Sequence, residues 1–455
     1  MKEIARCTNR YFQYYVRNVD IRQHSRTQDW SDVNSQHIYL FLAVTMLMTR
    51  NKRISIEEHW STDPLLNSPI FHNILSRNKY CLITSMLHFT DVFTSNERLP
   101  RLHKLQFVID HARNKFKEAI IPHQKICIDE SIVPFKGRLI LKQYLPKKRN
   151  RFGIKLFVLC DVKTGFIIDF IVYSGKETNI EMKPELGVSG SVVTALMENY
   201  LNSNRTLYVD NWYSSPTLFK HLMEKGTYAC GTVKKNRTGM PKFKKLKKGE
   251  IEAFYSPPLM ALKWVDKKAV TMISTKHGSN IIPTDKEDRA TGLPKLKPEC
   301  VDDYTKNMGS IDTADMLIST LTCIKKSRRW YKKLALRIID MHLLNAFYAF
   351  KEIKGCRNKP FSEFHLEVIR QLIGKYKLLD YQPVPSTSRG VQDNPSRFLP
   401  RDALKHFPTR IPNNKSQRCR VCALKKNRTE TRFMCKECNV FLCIEPCSAK
   451  FHLNK

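Results

Sequence analysis

The sequence has few acidic residues and no long hydrophobic run. Its 42 Asp and Glu face 78 Lys and Arg in 455 residues, which gives a formal net charge of +36. No window approaches the roughly 18 consecutive apolar residues of a membrane span, and the first residues lack the apolar core of a secretory signal. We therefore expect a soluble, intracellular protein whose partner is a polyanion such as nucleic acid. A merely solvated basic surface is the weaker alternative, because the surplus is so large.

Apolar residues are nevertheless plentiful enough to build real cores. Hydrophobic residues make up 42% of the chain and aromatic residues 10%, which excludes wholesale disorder. At roughly 150 residues per domain, the length allows about three domains. Hydrophobic periodicity and composition then divide the chain. The predicted segments are helical 1–125, mixed α/β 126–235, a lysine-rich insertion 236–299, a short return to the core at 300–321, helical 322–380, a linker 381–416 and a cysteine-rich tail 417–455.

The tail contains six of the 14 cysteines and a histidine. These residues are Cys419, Cys422, Cys435, Cys438, Cys443, Cys447 and His452. Paired CxxC turns supply tetrahedral zinc with close sulfurs, so the spacing predicts Zn²⁺. Seven ligands exceed one site and fall one short of two. Either two zinc ions use an unidentified eighth ligand, or one zinc leaves cysteines spare. A disulfide-stapled module is the alternative, but it suits a secreted protein.

Three aspartates lie where chemistry is plausible. Asp129 follows the apolar run 125–128, Asp210 follows 206–209, and Asp312 lies in the first turn of a predicted helix with Asp315 on the same face. Taken singly, each is typical of a turn or of a residue that complements a helix dipole. If they converge, they raise one another's pKa, and a divalent cation is needed to keep them ionised. Carboxylate oxygens favour Mg²⁺ or Mn²⁺, and two such ions can cleave a phosphodiester.

The motifs themselves resemble those of the piggyBac transposase family. The matching text runs from about residue 29 to residue 455 and includes IDESIVPFKGR, YVDNWYSS, DDYTKNMGSIDTADM and RRWYKKLALRIIDMHLLNAFYAF. The resemblance implies a ribonuclease-H-like α/β core with an insertion domain. It also implies flanking helical parts for dimerisation and DNA binding, and a C-terminal cross-braced zinc module. It makes Asp129, Asp210 and Asp312 the catalytic aspartates, with Asp315 as the extra aspartate beside them.

The activity that the resemblance implies is cut-and-paste transposition in the nucleus. A homodimer would use Mg²⁺ or Mn²⁺ to excise double-stranded transposon ends through a hairpin intermediate and to join them to TTAA target sites. The alternative is a domesticated DNA-binding protein that keeps the fold and the zinc module without cleavage. A chromatin adaptor that uses only the zinc module has the least support, since it leaves three retained aspartates unexplained.

Two basic clusters are candidates for DNA contact. The candidate residues are Lys147, Lys148, Arg149 and Arg151 in the first cluster, and Lys325, Arg328, Arg329 and Trp330 in the second. Trp330 either stacks on an unpaired base or anchors the following helix as a core residue, and the sequence favours neither.

The sequence departs from the family pattern in three ways, one of which is Arg149 where the family commonly has Pro. The family usually carries an acidic N-terminal segment, and we expect part of the +36 charge to reflect its absence here. Ser310 stands where the family commonly has Gly, which would cost about 1 kcal/mol if that turn required a positive φ.

Overall fold

A computed structural model describes residues 1–91, 99–146, 148, 150–287, 292–324, 327–356, 358–377, 406, 408–425 and 427–453. The chain forms two compact units, residues 1–381 and residues 382–455. Among the described residues, no helix is both long enough and apolar enough to cross a membrane.

Helices fill the N-terminal part of the first unit. They are α1 (Lys2–Asn18), α2 (Ser35–Arg50), α3 (Pro69–Ile74), α4 (Arg77–Met86) and α5 (Gln106–Ala119). Most of α2 is buried, as its long apolar run requires. A reciprocal capping box begins this helix: Asn34 accepts from the His37 backbone N–H, and the His37 ring accepts from the Asn34 N–H.

A mixed sheet of nine strands forms the centre of the unit. The strands are β1 (Lys125–Pro134), β2 (Lys142–Tyr144), β3 (Phe152–Asp161), β4 (Ile167–Val172), β5 (Thr206–Val209), β6 (Tyr228–Thr232), β7 (Ile251–Ser256), β8 (Leu259–Val265) and β9 (Ala269–Ser274). Their order is β2-β3-β1-β5-β6-β9-β8-β7. The remaining strand, β4, lies off this path and pairs with β3. The β1 strand runs antiparallel to β3 and parallel to β5, and β5 runs parallel to β6.

Alternate residues of β1 enter two different cores, because successive side chains of a strand point to opposite faces. Ile126 and Ile128 pack with α6 (Gly187–Met197) and α7 (Pro216–Glu224). Cys127 lies in the core of the opposite face, with residues of the C-terminal helices. Burial of both faces explains why the strands read as nearly continuous apolar runs.

The lysine-rich segment 236–299 divides its strands between two sheets. Its first three strands, β7 to β9, extend the central sheet through antiparallel pairing of β9 with β6. The other two, β10 (Ile281–Glu287) and β11 (Pro294–Pro298), pair with each other as a hairpin. Part of the predicted insertion therefore belongs to the core sheet.

Four helices complete the first unit: α8 (Glu299–Asn307), α9 (Ser310–Thr320), α10 (Trp330–Lys354) and α11 (Phe361–Lys377). The α10 helix packs on α5, α9 and β1, while α11 packs on α2. The Tyr39 and Tyr376 rings stack across that last contact at 4.3 Å. At the turn before α9, Gly309 has φ −79° and Ser310 has no positive φ, so the cost considered for Ser310 does not arise.

The second unit is small and has little apolar core. It contains β12 (Pro408–Arg410), β13 (Gln417–Arg418), α12 (Arg420–Leu424), β14 (Glu430–Thr431), β15 (Phe433–Cys435), β16 (Val440–Phe441) and α13 (Ala449–Leu453). Its buried hydrophobic cluster comprises Cys435, Val440 and Leu442. A unit of this size needs a metal or a covalent crosslink in addition to such a core.

Candidate functional site

Two of the three candidate aspartates meet where the parallel pairing of β1 with β5 ends. Ile128 of β1 pairs with Val209 of β5, so the next residues, Asp129 and Asp210, lie side by side, while β1 itself continues along β3 to Pro134. Each offers a carboxylate oxygen to a group that also contains Glu130, and the three oxygens lie within 4.8 Å of one another. Glu130 was missed in the sequence, although it is the next letter of the IDES motif.

Burial and the neighbouring Glu130 oppose the ionisation of the two aspartates. Burial raises the pKa of Asp129, with a further contribution from Glu130. Burial and the charge of Glu130 also raise the pKa of Asp210. Burial acts in the same sense on Glu130, but the hydrogen bond with Asp129 and the charge of Lys155 outweigh it, so the Glu130 pKa is lowered. A cation that binds here would relieve this repulsion.

Lys155 serves as the permanent counter-ion of Glu130. Its Nζ lies 3.2 Å from Glu130 Oε1. It is also 4.5 Å from the ring centroid of Phe157 and 4.2 Å from that of Trp212, close enough for cation–π attraction. Glu130 thus already has a cation of the protein, Lys155, as its ion-pair partner.

Backbone donors orient the two aspartates. The Glu130 N–H donates to Asp129 Oδ1 at 2.8 Å, and the Trp212 N–H donates to Asp210 Oδ1 at 2.8 Å. One oxygen of each carboxylate is fixed in this way, and the second oxygen of Asp129, Oδ2, faces the Lys148 ammonium group at 3.5 Å.

Asp312 approaches the same place from the first turn of α9. Its side chain is 68% exposed, and Lys148 Nζ lies 3.2 Å from its Oδ1 and 3.5 Å from Asp129 Oδ2. A single ammonium group therefore bridges the first and third candidate aspartates. Two carboxylate oxygens that share one ammonium group in this way can also share one metal ion.

Asp315 has a different environment from the other candidates. Its carboxylate accepts from Ser131 Oγ at 2.8 Å and pairs with Arg337 of α10, while Arg337 also donates to Ser131 at 2.9 Å. These contacts fix α9 against β1, so here Asp315 positions the helix that carries Asp312. Arg337 is another residue that the sequence reasoning missed; its only signal was a cation within an apolar stretch.

The tail brings together two separate groups of four ligands. One consists of Cys419, Cys422, Cys443 and Cys447, and the other of His406, Cys435, Cys438 and His452. The ligands of the two groups interleave along the chain, which is the cross-braced arrangement. His406 supplies the eighth ligand that the spacing could not identify.

The distances within these groups fit zinc. Cys422 Sγ and Cys447 Sγ are 3.4 Å apart, and Cys438 Sγ is 3.3 Å from His406 Nδ1. Tetrahedral zinc with Zn–S bonds of about 2.3 Å separates two sulfurs by about 3.8 Å. Burial alone would raise the pKa of Cys419, but the backbone N–H groups of Cys422 and Cys443 lower it to about 7. That favours the thiolate, the form that binds metal.

Comparison with known proteins matches two families along the chain. A family model described as "Transposase IS4" matches residues 1–347, and one described as "DDE_Tnp_1-like zinc finger" matches residues 401–453. Human PiggyBac transposable element-derived protein 3 is 27% identical over 402 residues, covering 84% of this chain and 65% of that protein. Human PiggyBac transposable element-derived protein 2 is 25% identical over 386 residues, covering 80% and 62%.

The chain belongs to the piggyBac transposase family. It spans somewhat under two thirds of the length of these two human relatives.

A solved piggyBac structure confirms the fold. The cryo-EM structure of the piggyBac transposase synaptic complex with hairpin DNA matches 98% of this chain and 94% of that one, with a TM-score of 0.70 and 22% sequence identity. The predicted fold class is confirmed: a ribonuclease-H-like α/β core with an insertion, helical flanks and a C-terminal zinc-finger unit. The DDE-type domain indicates a divalent metal, and the zinc-finger family indicates zinc.

The basic candidates of this piggyBac-family chain fall in different places. Arg151 and Arg328 line one cavity of about 1320 Å³, and Arg329 lines two smaller ones. Trp330 begins α10, is partly exposed, and its ring meets that of Tyr331 edge-on at 6.1 Å. Three candidates, Lys147, Arg149 and Lys325, lie outside the described residues, as do residues 381–405 and 407 of the predicted linker.

Proposed function

We propose that this chain is a DNA transposase whose active site comprises Asp129, Asp210 and Asp312. The observation that supports this most is the convergence of the carboxylates from β1 and β5, with Asp312 joined to Asp129 through the Lys148 ammonium. Three separate parts of the sequence supply them. Nothing in the packing of a purely structural core requires ionisable groups to gather at a strand end.

The donor set suits Mg²⁺ or Mn²⁺. Hard carboxylate oxygens are the ligands of these ions, and the raised pKa of Asp129 and of Asp210 marks a place where a cation is favoured. A bound ion would supply an activated water and stabilise the leaving oxygen. The protein's part is to hold the free carboxylate oxygens at fixed positions, through the N–H donors on Asp129 and Asp210 and through the Asp315–Arg337 pair behind α9.

The finer features of the proposal follow from the family. They are cut-and-paste excision of double-stranded transposon ends through a hairpin, joining at TTAA sites, and a homodimer with one active site for each end. We also propose that the protein works in the nucleus, where this substrate is found. The basic surplus of +36 supports DNA as the partner, because phosphate contacts dominate the affinity of such complexes.

A second candidate function is DNA binding without cleavage. The names of the human relatives describe transposable element-derived proteins, and a derived protein can retain the zinc unit and the sheet while losing transposition.

An excision assay separates the two functions. A plasmid carrying the matching transposon ends is introduced with the wild type or with Asp129→Ala, Asp210→Ala or Asp312→Ala. Mg²⁺-dependent excision by the wild type and its loss in all three variants is the expected result. Asp266→Ala, in the turn between β8 and β9, serves as a control and retains activity. Tight binding of the ends by a wild type that does not excise them would favour the second function.

A further inference from the structure

One strongly basic cavity has a composition that neither metal site explains. It occupies about 1320 Å³ between the end of β1, the β2 edge, the start of β3 and the start of α10. The described lining residues include no carboxylate. They include six cations: Lys136, Arg138, Lys142, Arg151, Arg328 and Lys333. Such a concentration of one sign of charge attracts a polyanion.

An exposed pair of aromatic rings forms one edge of this cavity. Phe152 lines it and stacks on Tyr144 with ring centroids 4.7 Å apart. Phe152 is 45% exposed and Tyr144 is 56% exposed, and Lys142 Nζ lies 5.9 Å from the Phe152 ring centroid. Exposed rings among cations are typical of proteins that bind single-stranded nucleic acid, where bases stack on the rings and phosphates contact the cations.

The β1 strand connects the cavity with the carboxylates. Pro134 lines the cavity and lies five residues after Asp129 along the same strand. At about 3.3 Å per residue, this separation is about 17 Å. A strand stacked in duplex DNA advances about 3.4 Å per nucleotide, and an unpaired strand extends further per nucleotide, so at most about five nucleotides span the distance.

The backbones of β1 and β3 pack closely at this edge. A Cβ on Gly153, the residue after Phe152, would lie 2.2 Å from the Val133 carbonyl oxygen. The β1 and β3 backbones therefore approach more closely here than a larger residue allows. The strand that begins with Phe152, β3, therefore pairs directly with β1, the strand that carries Asp129.

We propose that this cavity binds an unpaired DNA segment within about five nucleotides of the phosphate at Asp129, with a base stacked on the Phe152–Tyr144 pair. The inference rests on the proposed function in taking DNA as the substrate, but binding requires no cleavage. Duplex DNA keeps its bases stacked inside the helix and gains nothing from the rings. The cations, in contrast, attract the phosphates of either form. The aromatic residues therefore distinguish single strands from duplexes.

Fluorescence anisotropy with the full chain tests this discrimination. The probes are a fluorescein-labelled 12-nucleotide oligodeoxythymidine and a 12-base-pair duplex. Phe152→Ala and Tyr144→Ala are each expected to weaken binding of the single strand about tenfold, while duplex affinity stays within about twofold, since phosphate contacts dominate it. Phe152→Trp keeps an aromatic face and restores single-strand binding. Phe107→Ala removes a ring that is 51% exposed on α5 and changes neither affinity.

Removal of a lining cation is expected to change the two affinities differently from removal of a ring. Arg138→Ala lowers the affinity for both probes and reduces the slope of log affinity against log salt by about 0.7 for the single strand. Equal weakening of both probes by Phe152→Ala, or no weakening of either, overturns the proposal. So does a polyglutamate peptide that competes as well as unlabelled oligodeoxythymidine, because an acidic protein segment would then be the better ligand.

The measurement is independent of catalysis. The same titration in an Asp129→Asn background is expected to give the same ring dependence. Absence of Mg²⁺-dependent excision by the wild type, together with intact single-strand binding, would refute the proposed enzyme and leave the cavity assignment standing. The converse result would refute only the cavity assignment.

Discussion

Removal of His406 is expected to abolish one of two zinc sites and leave the other. His406 completes the group of Cys435, Cys438 and His452, whereas the four other cysteines form a group of their own. The wild-type chain should therefore contain two zinc ions, and His406→Ala should contain one. His406→Cys should restore two, because a thiolate binds zinc as readily as an imidazole does.

The expected energetic effect of zinc removal is large. Structural zinc sites contribute roughly 10–16 kcal/mol in small zinc-finger peptides near pH 7, whereas the buried apolar cluster among the described residues of this unit has, besides the ligand Cys435, two residues, Val440 and Leu442. Burying these two side chains contributes about 1.5–3 kcal/mol each before chain entropy is subtracted. Chelation should therefore unfold residues 408–453 while the first unit, whose core is independent, remains folded.

Zinc per chain is measured by mass spectrometry of the dialysed protein, together with chelator titrations followed by circular dichroism. His103→Ala is the matched control, since His103 lies in the first unit and its ring contacts the Pro100 carbonyl. It should retain two ions. One zinc ion in the wild type, or two in His406→Ala, would refute the assignment of His406.

Three further changes test the first unit. Asp169→Ala removes the buried partner of Arg113, whose Nε lies 2.7 Å from Asp169 Oδ1, and should lower the free energy of unfolding by about 3 kcal/mol in urea titrations. Gly231→Ala places a Cβ 2.4 Å from the Val209 carbonyl oxygen, next to Asp210; it should cost about 1–3 kcal/mol of stability and reduce excision. Lys332 is buried, and burial lowers its pKa to about 7. The unfolded chain keeps that proton to about pH 10, so the free energy of unfolding should rise from pH 7 to pH 10, and Lys332→Met should remove this slope.

For each of these three substitutions, one result would contradict the expectation. An Asp169→Ala protein as stable as Asp110→Ala, which changes an exposed position on α5, the helix that carries Arg113, would mean that the ion pair contributes nothing. A Gly231→Ala protein with unchanged stability and excision would show that the two strands can separate freely. An unfolding free energy that falls between pH 7 and pH 10 in the wild type, but not in Lys332→Met, would reverse the assigned direction of the Lys332 pKa.

Much of the carboxylate site could be predicted from local sequence. An apolar run followed by Asp predicts a strand end. Asp210 does follow the end of β5, whereas Asp129 lies inside β1, which continues to Pro134. Their meeting depends on the parallel pairing of Ile128 with Val209, which links segments about 80 residues apart and leaves no local signal. Glu130 was missed for a related reason: alternation assigns its side chain to the opposite face, and only the fold shows it within reach of both aspartates.

Long-range partners also decided the other differences. The helical spacing placed Asp315 on the same face as Asp312, but Arg337, from a later helix, pairs with its carboxylate. His406 lies 13 positions before the first tail cysteine, inside a segment whose composition is that of a linker, so ligand spacing could not identify it. The pairing of β9 with β6 likewise joins the predicted insertion to the core sheet. In each case the determining contact is tertiary.

The most direct test of the central claim is a change of metal preference at one ligand. Purified wild-type chain is expected to cleave a labelled terminal-repeat duplex with Mg²⁺ and not with a chelator. Asp312→Cys replaces a hard oxygen with a softer thiolate, so it should be inactive with Mg²⁺ and regain cleavage with Mn²⁺. Cleavage by Asp312→Cys that is equal with both ions, or wild-type cleavage in the chelator, would contradict a metal site built from Asp129, Asp210 and Asp312.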